Sequence, residues 1–345
     1  MLNYLTITVT EEDEAQGRDV RWFLRARLGL SRTKIRSLKF DPRGILLDGE
    51  PVPNWTRVRA GQALQVLLTD SENREKHILA NALPLDILYE DANLLILNKP
   101  AGVVCHPAKG HLIDTLSNGV QYYFESQGDF DSRIHLVGRL DKDVSGIVTI
   151  AKNGVASERL QADREAGRLK KHYTALVRGG IPEDEFELRT AMREAVNEDD
   201  FRRAVPAGAA GAAEAAGAAE TSAVSAMTVP FVEENGKGTV MTDVARGLTY
   251  SGVKLCVTHF RVLRRAEGLT LLDVCPDTGR LHQIRFSLAE AGFPIVGDTL
   301  YGSDPADRAV GRVMLHARRL RYTDPFDGSR RVISAPLPEN FLSSF

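Results

Sequence analysis

The sequence predicts an α+β protein with two domains, and three observations lead to this prediction. Apolar residues recur at helical spacing between Val20 and Leu28, near the start of the chain. From residue 85 onwards, short apolar or alternating segments recur that are typical of β-strands. A charged connection, residues 70–77, separates these two regions. With 345 residues, 43% of them hydrophobic, the chain can bury a core in more than one domain.

The first region continues with a second helix and several strands. Ser31 is placed to cap a helix that contains Ile35 and Leu38. Asp48-Gly49 lies between two apolar runs, as the turn of a β-hairpin does, and residues 63–68 follow as a strand. We therefore predict that two short helices followed by a few strands form a domain within residues 1–70.

Positive charge is concentrated in this first region. The formal net charge of the whole chain is −2, but residues 18–70 contain eleven Lys and Arg against five Asp and Glu, a net charge of +6. A basic patch predicts an anionic partner such as nucleic acid, although a charge run more often marks a solvated helix face. Four of the basic residues lie on or near the second helix: Arg32, Lys34, Arg36 and Lys39.

The second region, residues 85–345, follows a linker of residues 71–84. An Ala/Gly-rich tract at about 204–226 cannot offset its ordering entropy by burial, so we interpret it as an exposed insertion. The remaining pattern predicts strands at 85–89, 94–98, 147–151, 171–177, 258–263 and 269–275, and helices at 155–166 and up to residue 291.

Several classes of protein are disfavoured by simple features of the sequence. The chain begins without a basic segment followed by a long apolar one, and no run approaches the roughly 18 apolar residues of a membrane span. We therefore expect a cytoplasmic protein. Its three cysteines are widely spaced and form no C-x-x-C pair, so neither a disulfide framework nor a zinc site is indicated.

The most informative stretch is residues 137–147, which places two acids, two bases and a hydroxyl between apolar runs. The spacing of its acids begins like a calcium loop, but the twelfth position is Lys152, where a Glu is needed. Ser145-Gly146 begins like a nucleophile elbow, but Asp143 stands where that motif needs its first Gly. The residues alone leave open a simple turn in which Asp141 caps backbone amides.

Residues 138–146, Gly-Arg-Leu-Asp-Lys-Asp-Val-Ser-Gly, resemble the catalytic motif of the RluA-type pseudouridine synthases, His-Arg-Leu-Asp followed by Ser-Gly, with Gly138 in place of the His. Residues 98–107 resemble the Lys-Pro-x-Gly turn and His-Pro that open the catalytic domain of that family. Residues 278–285, Thr-Gly-Arg-Leu-His-Gln-Ile-Arg, and the Gly-Asp-x-x-Tyr-Gly at 297–302 resemble its later motifs.

The resemblance implies a catalytic domain with a mixed, largely antiparallel sheet that isomerises uridine to pseudouridine in RNA without a cofactor. Asp141 is then the essential nucleophile or base, and Arg285 aims it. Tyr173, in a Lys-x-Tyr, supplies the aromatic ring of the site, and Arg139 either occupies the space that the target base vacates or grips an RNA phosphate. A covalent sugar ester and a glycal remain alternative intermediates.

The first region resembles the alpha-L RNA-binding domain first described in a small-subunit ribosomal protein, which implies that Arg32, Lys34, Arg36 and Lys39 bind RNA. Large-subunit ribosomal RNA is the favoured substrate, transfer RNA is possible, and no obligatory protein partner is evident. The competing hypothesis is a non-catalytic RNA-binding or ribosome-assembly protein on the same scaffold. His282 and His316 lack the neighbours of a recognisable metal site, so we interpret both as structural.

Overall fold

The computed structural model describes residues 4–68, 78–108, 110–129, 132–193, 226–228, 240–243, 248–251, 253–302 and 304–341. The Ala/Gly-rich tract predicted as an insertion lies outside these residues except for Ala226, and so does the first half of the predicted linker, residues 71–77. No helix in the described part of the chain is long and apolar enough to cross a membrane.

The first unit is a four-stranded antiparallel sheet with three short helices packed on it. Its strands are β1 Tyr4–Thr8, β2 Ile45–Leu47, β3 Glu50–Pro51 and β4 Ala63–Leu67, in the order β1-β4-β2-β3. Its helices are α1 Glu11–Ala15, α2 Val20–Trp22, which continues as a π-helical turn Phe23–Arg27, and α3 Arg32–Phe40.

One prediction for this unit was wrong in its order. The sequence was expected to begin with helices, but β1 precedes them and pairs along its whole length with β4, from Tyr4 opposite Leu67 to Thr8 opposite Ala63. The predicted cap is confirmed, since the Ser31 hydroxyl accepts a hydrogen bond from the Lys34 amide at 3.1 Å.

In the described part of the chain, the second unit contains an eleven-stranded sheet and three helices of eight to twelve residues. The sheet order is β11 Ala226–Thr228, β10 Glu185–Arg193, β14 Val253–Ala266, β15 Leu269–Pro276, β9 Lys170–Arg178, β16 Leu315–Thr323, β8 Ser145–Ala151, β6 Leu94–Lys99 and β5 Ile87–Glu90, with β17 Arg330–Ser334 beside β16 and β7 His135–Leu136 beside β8. All pairs are antiparallel except β16 with β8 and β10 with β11, so the predicted α+β class with a largely antiparallel sheet is confirmed. A separate two-stranded sheet pairs β12 Val240–Asp243 with β13 Leu248–Ser251.

The bounds of these elements follow the sequence pattern closely where apolar runs are strong. The strands are β5 Ile87–Glu90, β6 Leu94–Lys99, β7 His135–Leu136, β8 Ser145–Ala151, β9 Lys170–Arg178, β10 Glu185–Arg193, β11 Ala226–Thr228, β14 Val253–Ala266, β15 Leu269–Pro276, β16 Leu315–Thr323 and β17 Arg330–Ser334. The helices are α4 Leu116–Ser126, α5 Gly154–Glu165, α6 Gln283–Glu290 and the short α7 Asp307–Val310. A final 3-10 turn covers Glu339–Phe341.

The two units meet along α5. The Ser31 hydroxyl and amide donate hydrogen bonds to the Glu158 carboxylate at 2.5 and 2.8 Å. The Arg159 guanidinium donates to the Leu28 carbonyl at 3.2 Å, and Val155 is buried among the apolar residues of the first unit. The end of α2 and the start of α3 are therefore anchored to the second unit.

The close pairing of β8 with β16 requires a glycine. Gly146 has φ +108°, and a Cβ atom there would lie 2.4 Å from the Ala317 carbonyl oxygen of the paired strand. A left-handed conformation alone costs a residue with a side chain about 1 to 2 kcal/mol, and a fixed backbone neighbour adds to this cost.

We predict that Gly146→Ala lowers the free energy of unfolding by about 3 kcal/mol, because strain and steric overlap combine. Gly268→Ala is the matched control, since Gly268 has φ +70° with no atom within 4 Å of the added Cβ. It is expected to lose only about 1 kcal/mol. Urea unfolding of the full chain measures both, and equal losses would contradict the role of the β8–β16 contact.

Candidate active site

The loop that precedes β8 carries Asp141 to the rim of a cavity of about 140 Å³. Buried Val137, Leu140 and Val144 fix the loop to the core, while the Asp141 side chain keeps 19% of its surface exposed. The alternation of buried and polar residues thus places the Asp141 carboxylate at the cavity, at the edge of the sheet. The cavity is lined by Val137, Gly138, Arg139, Leu140, Asp141, Val144, Arg164, Gly167, Leu169, Lys170, Lys171, Tyr173, Pro276, Asp277, Thr278, Gly279, Arg280, His282, Gln283, Ile284, Arg285 and Leu315.

The Lys-Pro-x-Gly turn after β6 holds this loop through hydrogen bonds to its backbone. Lys99 is fully buried, and its ammonium donates hydrogen bonds to the carbonyls of Pro100, Val103 and Lys142 at 2.8, 2.8 and 2.9 Å. Burial lowers the pKa of Lys99 to about 8, against the opposing effect of nearby negative groups that include Asp141. The Gly102 amide also donates to the Lys142 carbonyl at 2.8 Å. The residue after Asp141 is therefore tied to the turn through its backbone.

Arg285, in the first turn of α6, joins Asp141 to a second carboxylate. Its Nη1 donates to Asp141 Oδ2 at 3.1 Å, while its Nε and Nη2 donate to the two oxygens of Asp298 at 2.7 and 2.9 Å. Burial alone lowers the pKa of Arg285, but hydrogen bonds and charge from Asp298, and then from Asp141, outweigh it and raise the pKa above its ordinary value. The guanidinium is a permanent cation between two carboxylates.

Asp298 is held in turn by backbone amides. It is completely buried, and its Oδ1 accepts hydrogen bonds from the amides of Leu300 and Tyr301 at 3.0 and 3.1 Å. The Tyr301 ring lies against the Arg285 guanidinium, with 5.4 Å between the Cζ atom and the ring centroid. The Gly-Asp-x-x-Tyr-Gly segment thus fixes Arg285 in one orientation.

Tyr173 reaches the cavity from β9, directly beside β16, where it pairs with Ala317. Burial raises the pKa of its phenol, and the negative charge of Asp141 raises it further, so the hydroxyl keeps its proton at neutral pH. Lys171 lies two residues earlier on the same face of the strand and also lines the cavity. Its ammonium donates to the Ile147 carbonyl at 3.0 Å, and burial lowers the pKa of Lys171 to about 8.

The structure therefore brings Asp141, Tyr173 and Arg285 to one cavity, as the sequence motifs led us to expect, and adds Arg139 at its rim with an exposed side chain. The basic residues of α3 belong to the first unit. Of these, Arg32, Arg36 and Lys39 are exposed, whereas Lys34 is buried. Lys34 is therefore not presented to solvent in the way that a basic RNA-binding face requires.

His282 was interpreted from the sequence as structural, but it also lines the cavity. It takes a left-handed conformation, with φ +56°, at the start of α6. Its Nε2 lies 3.7 Å from Asp141 Oδ2, and its Nδ1 lies 3.2 Å from the Tyr301 hydroxyl. The signal that could have found it is its place in the Gly-Arg-x-His-Gln-x-Arg motif, three residues before Arg285.

The second histidine is a core residue, as the sequence led us to expect. His316 Nδ1 lies 2.7 Å from the Ser145 hydroxyl, and both residues are buried away from the cavity. Burial, followed by the charge of Arg312, lowers the pKa of His316 to about 4. The pair is inaccessible, which argues against Ser145 as a nucleophile. No group of three His, Cys, Asp or Glu in the described part of the chain is arranged to hold a metal ion.

Sequence and structure comparisons agree with one another. Residues 93–290 match the family model described as RNA pseudouridylate synthase. The uncharacterized RNA pseudouridine synthase YlyB of Bacillus subtilis (strain 168) is 31% identical over 345 residues, which cover 98% of this chain and 96% of that protein. Ribosomal large subunit pseudouridine synthase D of Nitrosomonas europaea is 32% identical over 320 residues, 91% of this chain and 79% of that protein.

A solved structure gives the same assignment. Human RNA Pseudouridylate Synthase Domain Containing 1 superposes with a TM-score of 0.50 at 25% identity, covering 76% of this chain and 86% of the human chain. Human RNA Pseudouridylate Synthase Domain Containing 4 superposes with a TM-score of 0.51 at 18% identity over 75% of this chain and 91% of that chain, and supports the fold alone.

Proposed function

The chain belongs to the RNA pseudouridylate synthase family, and we propose that it converts uridine to pseudouridine in large-subunit ribosomal RNA with Asp141 as the catalytic carboxylate. The observation that carries the proposal is the ion pair between Asp141 and the buried Arg285 at the wall of an open cavity. The family resemblance inferred from the sequence motifs is confirmed.

The reaction is an isomerisation, so atoms and electrons balance without a second substrate. The bond from uracil N1 to ribose C1′ breaks, the base turns, C5 bonds to the same C1′, and the C5 proton leaves while N1 gains one. Asp141 acts on the sugar, either by attack on C1′ or by removal of the C2′ proton. Both routes need the carboxylate in one fixed orientation, which the hydrogen bond from Arg285 supplies.

Tyr173 suits the role of base-binding residue. A uridine in structured RNA must leave its stack before its sugar can reach Asp141, which costs a few kcal/mol. Stacking on an aromatic ring returns roughly 1 to 3 kcal/mol per base. The hydroxyl of Tyr173, which keeps its proton at neutral pH, also provides a polar group near the turning uracil.

The choice of ribosomal RNA rests on relatives. Proteins from Nitrosomonas europaea and Pseudomonas aeruginosa, 32% and 31% identical to this chain, are named ribosomal large subunit pseudouridine synthase D. A ribosomal substrate agrees with the expected cytoplasmic location. Transfer RNA is the alternative that the same chemistry permits, and a labelled-RNA assay separates the two.

Residues 1–70 are proposed to act as a separate RNA-binding domain, with 71–84 as linker and 85–345 as the catalytic domain. Exposed Arg32, Arg36 and Lys39 supply positive charge on α3. An aromatic side chain that no sequence motif pointed to lies nearby: Trp55 is 61% exposed, and the Lys39 ammonium lies 5.8 Å from its ring centroid. An unpaired RNA base can stack on an exposed aromatic ring, and the neighbouring cation can bind its phosphate.

A non-catalytic RNA-binding protein is the competing hypothesis. Such a protein needs the basic surface, but it has no use for a carboxylate held by a buried Arg285–Asp298 pair. Burying an ion pair carries a desolvation cost that hydrophobic residues of similar volume would avoid, so stability alone does not explain this pair. The arrangement around Asp141 therefore favours catalysis.

We predict that Asp141→Ala abolishes tritium release from RNA labelled at C5 of uridine, because Asp141 is the cavity carboxylate that Arg285 holds in position. RNA affinity should stay within about threefold of the parent value, since Asp141 makes no favourable contact with phosphate. Asp143→Ala is the matched control, because Asp143 is an exposed acid of the same loop. Substantial release by Asp141→Ala, or equal loss in both variants, would falsify the assigned role.

We predict that the double variant Arg32→Gln/Arg36→Gln weakens RNA binding and lowers the slope of log affinity against log salt by about 1 to 2, because each lost phosphate contact removes roughly 0.7 to 0.9. The control is Arg57→Gln/Arg59→Gln, which removes the same charge from exposed residues of the same unit. Filter binding over a range of salt concentrations compares the two. Identical slopes would mean that α3 is only a solvated surface.

A further inference from the structure

Gly138, three residues before Asp141, leaves a space that an arginine fills. Gly138 has φ +81°, and a Cβ atom at this position would lie 3.2 Å from Arg164 Nη1 and 4.0 Å from Lys171 Nζ. Arg164 belongs to the last turn of α5, so its guanidinium reaches from the helix to the backbone of the loop that carries Asp141. Any side chain at position 138 would compete for this place.

Arg164 carries its charge in the cavity without a counterion among the described residues. Its guanidinium makes no hydrogen bond or ion pair there, although its backbone carbonyl accepts a hydrogen bond from the Gly167 amide at 3.1 Å. Arg168, four residues later, differs because it pairs with Asp163 at 2.6 Å and lies outside the cavity lining. The cation beside Arg164 is Lys171, whose pKa is lowered first by burial and also by the charge of Arg164. Two positive groups thus face each other with no carboxylate between them.

A substrate that balances this charge must bring an anion. The uracil and ribose of a target uridine are neutral, so the phosphodiester groups on either side of that nucleotide are the only anions within one nucleotide of its C1′. Guanidinium groups bind phosphate oxygens through paired, charge-assisted hydrogen bonds. Arg164 lines the same cavity as Asp141 and Tyr173, so a phosphate bound there belongs to the nucleotide whose sugar Asp141 meets.

We propose that Arg164 binds a backbone phosphate next to the target uridine and that Gly138 provides the space for this contact. The inference rests on the proposed RNA substrate and adds a residue to its recognition. Arg164 positions the target nucleotide relative to Asp141, whereas Arg32 and Arg36 contribute RNA affinity from the first unit of the chain. The contact recognises the sugar-phosphate backbone and does not discriminate between bases.

The test compares Arg164→Ala with Arg168→Ala in the full chain. Both remove one arginine from the same segment, but only Arg164 lines the cavity. Arg164→Ala is expected to weaken binding of unlabelled ribosomal RNA about tenfold and to lower the salt slope by about 0.7 to 0.9. Arg168→Ala is expected to change neither. In the tritium assay, the RNA concentration at half-maximal rate should rise by the same factor as the dissociation constant.

Two further variants guard against a purely structural effect. Arg164→Lys should keep the salt slope but recover only part of the affinity, because it keeps the charge and loses the planar fork. Gly138→Ala should weaken binding in the parent and add little in the Arg164→Ala background, because its added Cβ acts by displacing Arg164. Unfolding midpoints verify that each variant is folded.

The outcomes separate this inference from the proposed function. A salt slope unchanged by Arg164→Ala, or an equal fall with Arg168→Ala, overturns the phosphate contact even if tritium release by the parent is normal. A lower slope in Arg164→Ala only, with no tritium released by the parent from any RNA, supports the phosphate contact while the proposed reaction fails.

Discussion

The site depends on the buried pair between Arg285 and Asp298. Two nitrogens of Arg285 bind both oxygens of Asp298, and backbone amides after Asp298 bind the same carboxylate. A buried charge is costly unless it is paired and fully hydrogen-bonded, and here both conditions are met. The remaining Nη1 of Arg285 points to Asp141. Because a guanidinium is planar and rigid, fixing two of its nitrogens fixes the third. The geometry at Asp141 therefore follows from Asp298, a buried carboxylate that does not line the cavity.

The carboxylate is also held from the side of its own loop. Lys99 binds three carbonyls, one of them directly after Asp141 in the chain, and the Cys105 sulfur lies 3.4 Å from the Leu140 amide nitrogen. The neighbouring strands β9, β16 and β8 lie beneath this loop in the sheet. The contact between Gly146 and Ala317 sets how closely β8 approaches β16. Segments far apart in sequence thus converge on one carboxylate and leave it exposed to the cavity.

The motifs in the sequence singled out Asp141, Tyr173 and Arg285, which line one cavity. Local patterns predicted β8, β9 and α5 nearly to their ends. Neither motifs nor local patterns predict contacts between segments that are far apart in the sequence. The pairing of β1 with β4 joins residues about sixty positions apart. In the sequence, Gly297-Asp298 reads as an ordinary turn, and only the structure shows that Asp298 is buried against Arg285. Lys34 was expected on a basic face, but it lies four residues before buried Leu38, so its position follows the apolar side of α3.

The central claim is that Asp298 acts on the reaction only by fixing Arg285, which in turn aims Asp141. A double-mutant cycle tests this most directly: single-turnover tritium release is measured for the parent, Arg285→Lys, Asp298→Asn and the double variant. Each single change should slow the reaction by about 100-fold, because a small misplacement of a reacting group has that effect. The double variant should be no slower than the slower single one. Losses that multiply would mean that the two residues act independently and would contradict the account.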